Sequence, residues 1–150
     1  MIEDLKLIDK LHTVYLGLGS NLGQKEEHIA KAIALIEEQI GHVEAQSALY
    51  YSEPWGFASD NQFVNAVVRV TTALTPQRLL RATQHIERQL GKTRSHATER
   101  SQTTVYHDRP IDIDILLYDR LTIDTPKLKI PHPLMQERDF VMIPLREILL

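Results

Sequence analysis

The stretch Ile111-Asp112-Ile113-Asp114-Ile115-Leu116-Leu117 sets two carboxylates inside an otherwise apolar, β-branched run. Isoleucine favours strands and aspartate does not. Strand alternation assigns Ile111, Ile113, Ile115 and Leu117 to one face, and Asp112, Asp114, Leu116 and Tyr118 to the other. Same-face residues two apart stand about 7 Å from each other, so the carboxylates repel as neighbours, at a spacing divalent cations can bridge. Burying two unpaired carboxylates is prohibitive, so any fold of this chain must keep that face wet. A solvated or arginine-paired edge strand would satisfy the same pattern.

The charge around the pair favours the cation. Between Arg88 and Arg109 there are five cations (Arg88, Lys92, Arg94, Arg100, Arg109) and two acids (Glu99, Asp108), in a chain whose formal net charge is -3. That net charge argues against a general nucleic-acid binder. A basic stretch beside two carboxylates instead suits a small polyanion held together with its metals. At 150 residues the chain fits one domain, residues 1–150, with residues 1–12 as an N-terminal extension. Nothing approaches the ~18 apolar residues of a membrane span, and residues 1–12 lack the apolar core of a secretory signal. With no cysteine, disulfides and thiolate metal sites are excluded, which suits a reducing cytoplasm. The expectation is a cytoplasmic monomer without nucleic-acid or membrane partners.

Two helical periods separate the strand-like segments. Residues 13–19 form a strand that ends in the turn Ser20-Asn21-Leu22-Gly23. From Lys25, the spacing of Ile29, Ile33, Ile36 and Ile40 predicts a helix, with Gly41 as its C-terminal glycine. Residues 43–51 are weaker strand material and lead into an irregular loop carrying Trp55 and Phe57. Residues 62–70 form a strong strand, and Thr75-Pro76 caps a second helix whose stripe is Leu79, Thr83, Ile86 and Leu90. The polar, basic residues 92–106 predict a lid-like loop. After the carboxylate strand, Asp119-Arg120 turns into a short partner strand, residues 121–123. Pro126, Pro131, Pro133 and Pro144 then limit the C-terminal part to helical turns near 134–137 and 145–149. The order β-α-β-β-α-β predicts a ferredoxin-like α+β sandwich with a Pro-rich C-terminal extension. Its mostly antiparallel sheet carries two helices on one face and leaves the other free.

Several motifs fail on inspection. Gly17-x-Gly19 lacks the third glycine of a dinucleotide fingerprint, because Leu22 holds that place and Gly23 comes one residue late. Gly91-Lys92-Thr93 resembles a P-loop tail, but the loop's first glycine would have to replace Ile86 inside a helix. No H-E-x-x-H pair or nucleophile elbow is present.

A constellation remains: Gly19-Ser20-Asn21, Glu53-Pro54-Trp55-Gly56, Phe63-Val64-Asn65, Arg109-x-x-Asp112-Ile113-Asp114, and Pro131-His132-Pro133 with Glu137-Arg138-x-Phe140-Val141 and Pro144-Leu145. In this order it resembles the 6-hydroxymethyl-7,8-dihydropterin pyrophosphokinases of folate synthesis. The resemblance implies transfer of pyrophosphate from ATP to the pterin hydroxymethyl group, with release of AMP. It implies two Mg2+ ions, bound with ATP, held by Asp112 and Asp114. Catalytic-loop cations would be Lys92, Arg94 and Arg109, and ATP contacts Gln84, Glu87, Ile115, Lys127, His132 and Arg138. The pterin pocket would draw on Ser52, Pro54, Trp55, Phe63, Asn65 and Phe140, with Phe63 and Phe140 as stacking rings and Asn65 as polar reader. Two other classes share the outline: an RNA-recognition module, which has the same topology but carries base-stacking aromatics on its third strand, and a different magnesium-dependent nucleotide enzyme.

Overall fold

The computed structural model describes residues 11–53, 62–91 and 110–150. The predicted lid, most of the Trp55 loop and most of the N-terminal extension lie outside these residues. The elements run β1 (His12–Ser20), α1 (Lys25–Gln39), β2 (Gly41–Gln46), β3 (Tyr50–Ser52), β4 (Phe63–Thr72), α2 (Pro76–Gln89), β5 (Asp112–Tyr118), β6 (Ile123–Asp124), β7 (Lys129–Ile130), a 3-10 turn (Met135–Glu137) and α3 (Asp139–Ile148). The fold is α+β, with three α-helices among the described residues and a sheet in the order β2-β4-β1-β5, antiparallel at every pairing. The weak 43–51 strand is in fact two: β2 pairs with one end of β4 and β3 with the other.

Helical periodicity builds one layer. Ile29, Ala32 and Ile36 of α1 and Leu79 and Ile86 of α2 are buried on the inward residues of β1, β4 and β5. The Thr75 side chain accepts the Arg78 N–H at the start of α2, the cap predicted from Thr75-Pro76. Gly41 has a different role from the one its position suggested. It does not adopt the left-handed conformation of a helix-ending glycine but opens β2, where an added Cβ would stand 2.1 Å from the Thr71 carbonyl oxygen. Close backbone approach, not a cap, demands glycine there.

The second sheet face is not left free. The C-terminal segment forms a ten-residue helix, α3, with Pro144 inside it, where single turns were expected. Proline inside a helix costs about 3 kcal/mol. Burying an aliphatic side chain returns about 1.5–3 kcal/mol, and Val141 and Leu145 are both buried against Tyr15, Val67 and Leu116. Packing therefore outweighs the break, and α3 roofs part of this face.

Two expectations about β5 also change. Residues 121–123 do not pair back onto it. Asp119, with φ 49°, turns the chain by accepting the Thr13 N–H and donating its own N–H to Thr13, and Ile123–Asp124 pairs with β7 instead. The register with β1 also shifts, from Leu16 opposite Ile115 to Tyr15 opposite Leu117, so Leu116 is bulged. The alternation inverts beyond it: Tyr118 enters the helix-side core and Leu117 packs on the α3 side, the reverse of the predicted faces.

Candidate active site

Upstream of the bulge the alternation holds. Ile113 and Ile115 are buried beneath the helices, so Asp112 and Asp114 project, half-buried, to the opposite face. Cross-strand partners share a face. Gly19 stands opposite Asp112 on one side and Asn65 on the other, while Gly17 lies between Asp114 and Val67. The two glycines that fail as a nucleotide fingerprint thus hollow the sheet between the carboxylates and β4. Above this floor a recess brings together Asp112, Asp114, Ser52, Phe63, Asn65, His132, Arg138 and Phe140. The Arg138 guanidinium carbon sits 5.7 Å from the centre of the Phe140 ring.

A second recess follows the edge of β5 that faces away from β1. Ile115, Lys127 and His132 line it, with Leu80, Pro126 and Pro133. Asp114 and His132 belong to both recesses, which meet there. His132 Nε2 is 3.9 Å from Asp114 Oδ1, and the His132 N–H donates to the Leu116 carbonyl at 3.1 Å. Burial first, and then the Arg138 charge, hold the His132 ring below its ordinary pKa, with Asp112 acting in the opposite sense. Ser52 Oγ, Asn65 Nδ2 and His132 Nδ1 are buried without a hydrogen-bond partner among the described residues, which marks the recess as a site for a polar ligand.

The predicted residues divide accordingly. Ser52, Phe63, Asn65 and Phe140 converge in the first recess and Ile115 and Lys127 in the second. Arg138 lines the first recess. Gln84 is exposed on α2 and lines neither recess, and Glu87 is buried with Oε2 accepting the Ile113 N–H at 2.7 Å. Pro54, Trp55, Lys92, Arg94 and Arg109 lie outside the described residues. Gly17, Gly19, Glu53, Leu116 and Val141 also line the first recess and were not singled out as site residues. For the glycines the missed signal was their period-2 spacing in the strand next to the carboxylate strand.

Among the described residues no group of three or more His, Cys, Asp or Glu could enclose a metal. Two carboxylates facing a ligand recess fit magnesium nonetheless, since it keeps several waters and takes one or two carboxylates together with substrate phosphates.

An α+β fold with a carboxylate pair where an aromatic recess meets an edge groove fits the class of two-substrate phosphoryl-transfer enzymes. The particular family follows from the sequence: the family model "7,8-dihydro-6-hydroxymethylpterin-pyrophosphokinase (HPPK)" matches residues 15–150, and the chain belongs to that family. It is 46% identical over 136 residues to the 2-amino-4-hydroxy-6-hydroxymethyldihydropteridine pyrophosphokinase of Porphyromonas gingivalis, covering 90% of this chain and 89% of the relative. The enzyme of the same name from Aquifex aeolicus is 43% identical, covering 91% and 79%. Among solved structures, the HPPK-DHPS wild type of Plasmodium falciparum with pteroate superposes with a TM-score of 0.69 at 16% identity, over 91% of this chain and 38% of that one, a likeness of fold. The RNA-recognition alternative and that of an unrelated nucleotide enzyme give way to this family.

Proposed function

We propose that the chain transfers the pyrophosphoryl group of ATP to the hydroxymethyl group of 6-hydroxymethyl-7,8-dihydropterin, releasing AMP, as a step of folate biosynthesis. The observation that carries this reading is the meeting of the two recesses at Asp114 and His132, which would bring two ligands together beside a carboxylate pair. The heterocycle fits the first recess, where Phe63 and Phe140 supply ring faces and Asn65 and Ser52 polar atoms that lack partners among the described residues. ATP fits the second. Ile113 turns its N–H away from β1 to Glu87, so Ile115, two residues on, offers its own N–H and C=O to the groove as a donor-acceptor pair for adenine.

Phosphate charge would fall toward Lys127 and the two aspartates. Asp112 and Asp114 would hold two magnesium ions, which when bound withdraw charge from the phosphoryl oxygens and favour in-line attack. The chain's part is to fix both ligands in one geometry, since positioning and charge supply most of phosphoryl transfer. His132, kept neutral by burial, suits a hydrogen-bonding role more than a cationic one. Lys92, Arg94 and Arg109 would complete the phosphate clamp, and Pro54 and Trp55 the pterin pocket. The strand order supports the ferredoxin-like description, and the same reading takes residues 1–150 as a single monomeric, cytoplasmic unit.

The test mixes the protein with ATP, magnesium and 6-hydroxymethyl-7,8-dihydropterin and separates the adenine nucleotides. Pterin-dependent AMP is the expected product. ADP, or AMP formation indifferent to the pterin, would refute the reading.

A further inference from the structure

Gly19 lies at the centre of the recess floor, paired with Asn65 on β4 and with Asp112 on β5. Its φ is not positive, so backbone freedom does not explain a glycine there. Space does: a Cβ at residue 19 would stand 2.8 Å from Asn65 Oδ1 and 3.9 Å from Phe63 Cδ1. The first distance is shorter than van der Waals contact permits, so any side chain would have to turn the Asn65 amide out of its seat. Asn65 is only 7% exposed, and its Nδ2 has no partner among the described residues while its side chain lines the recess. A buried amide N–H without a partner costs free energy until a ligand acceptor meets it.

We propose that Gly19 is a positioning residue for the heterocycle. The hollow left by its missing side chain seats Asn65 Oδ1, and the seated amide presents Nδ2 as a donor that selects ligands carrying a ring nitrogen or carbonyl oxygen at that point. The inference rests on the pterin reading of the recess and adds to it the direction in which Asn65 reads.

The test measures the dissociation constant of 6-hydroxymethyl-7,8-dihydropterin by its fluorescence, and the KM of both substrates, for the full chain and for Gly19→Ala, Asn65→Ala, the double variant and Asn65→Asp. Loss of one well-placed hydrogen bond predicts about tenfold weaker pterin binding in each single variant, with the KM for ATP unchanged within about twofold. Because Gly19 acts through Asn65, the double variant should bind about as weakly as Asn65→Ala alone. Multiplying losses would overturn the proposal, because the methyl group would then be obstructing the ligand directly. Asn65→Asp keeps the shape and Oδ1 but has no donor, so undiminished pterin binding by that variant would also overturn it, whatever the stability of Gly19→Ala. If the unaltered chain binds no pterin, both readings fall. If it binds and the variants bind equally well, this one falls alone.

Discussion

Replacing Glu87 with alanine should loosen the strand that carries both aspartates. Glu87 is 6% exposed on α2, and its Oε2 accepts the N–H of Ile113, the residue between Asp112 and Asp114, at 2.7 Å. Among the described residues β5 pairs in the sheet with β1 alone, and here a side chain takes the N–H that a second neighbouring strand would bond. Alanine leaves that interior N–H without its acceptor, a loss of about 1–3 kcal/mol. The vacated side-chain volume adds about 1 kcal/mol, for a total of about 2–4 kcal/mol. For a chain of this size each kcal/mol lowers Tm by about 2–4 °C, so a fall of about 5–15 °C is expected. Glu87→Gln retains an amide oxygen and nearly the same volume and should lose less than about 1.5 kcal/mol. Urea unfolding followed by circular dichroism measures both, and AMP formation against magnesium concentration reports on the aspartates. The alanine variant should need more magnesium and the glutamine variant little more than the unaltered chain. An alanine variant within about 0.5 kcal/mol of the parent, the range of inconsequential surface changes, would refute the anchor. A raised KM for ATP at unchanged Tm would instead support the nucleotide contact that the family resemblance implies for Glu87.

Asp112→Asn and Asp114→Asn should leave unfolding nearly unchanged, since both residues are half-buried at the recess, while removing most turnover. Near-parental AMP formation by either at ordinary magnesium would dismiss it as a ligand. Gly41→Ala meets the Thr71 carbonyl oxygen, a backbone atom that cannot swing aside. It should cost about 3 kcal/mol or more, in the range of severe overpacking, and a urea midpoint within error of the parent would show that β2 can shift. In the metal-free protein, burial holds His132 below its ordinary 6.5, so the unfolded chain takes up the proton first as pH falls. The stability that depends on neutral His132 is therefore complete above about pH 6.5 and declines from there down to the lowered folded value. Imidazole NMR titration with a chelator present checks this, and titration at or above 6.5 would contradict it.

The helices and the long strands could be read from the sequence because one physical rule governs each. Ile29 and Ile36, and Leu79 and Ile86, recur at a helical period and are buried where that period puts them. The convergence of Ser52, Phe63, Asn65, Asp112, Asp114, His132 and Phe140 was carried by the family resemblance, since no local pattern says that residues so far apart in the chain meet. Helix α3 was hidden by Pro144. A local rule forbids proline inside a helix, but the rule is overruled by burial against Tyr15, Val67 and Leu116, which lie far from it in sequence.

The bulge at Leu116 was illegible for a more particular reason. From Ile115 to Tyr118 every residue is apolar or aromatic, so the hydrophobic pattern is satisfied by either face and cannot fix the register. Function constrains the near end of the strand and the core the far end. Asp112 and Asp114 must face the recess, while Tyr118 must face the helices, where its hydroxyl donates to the Leu74 carbonyl at 2.7 Å. Residues 114 and 118 differ by an even number, and strict alternation would put both on one face. One extra residue resolves the conflict. Leu116 and Leu117 stand together opposite Tyr15 on the α3 side, and the strand resumes with its faces exchanged. A strand that serves a wet carboxylate site at one end and a dry core at the other needs such a bulge, and the consecutive leucines supply side chains that the α3 side can bury.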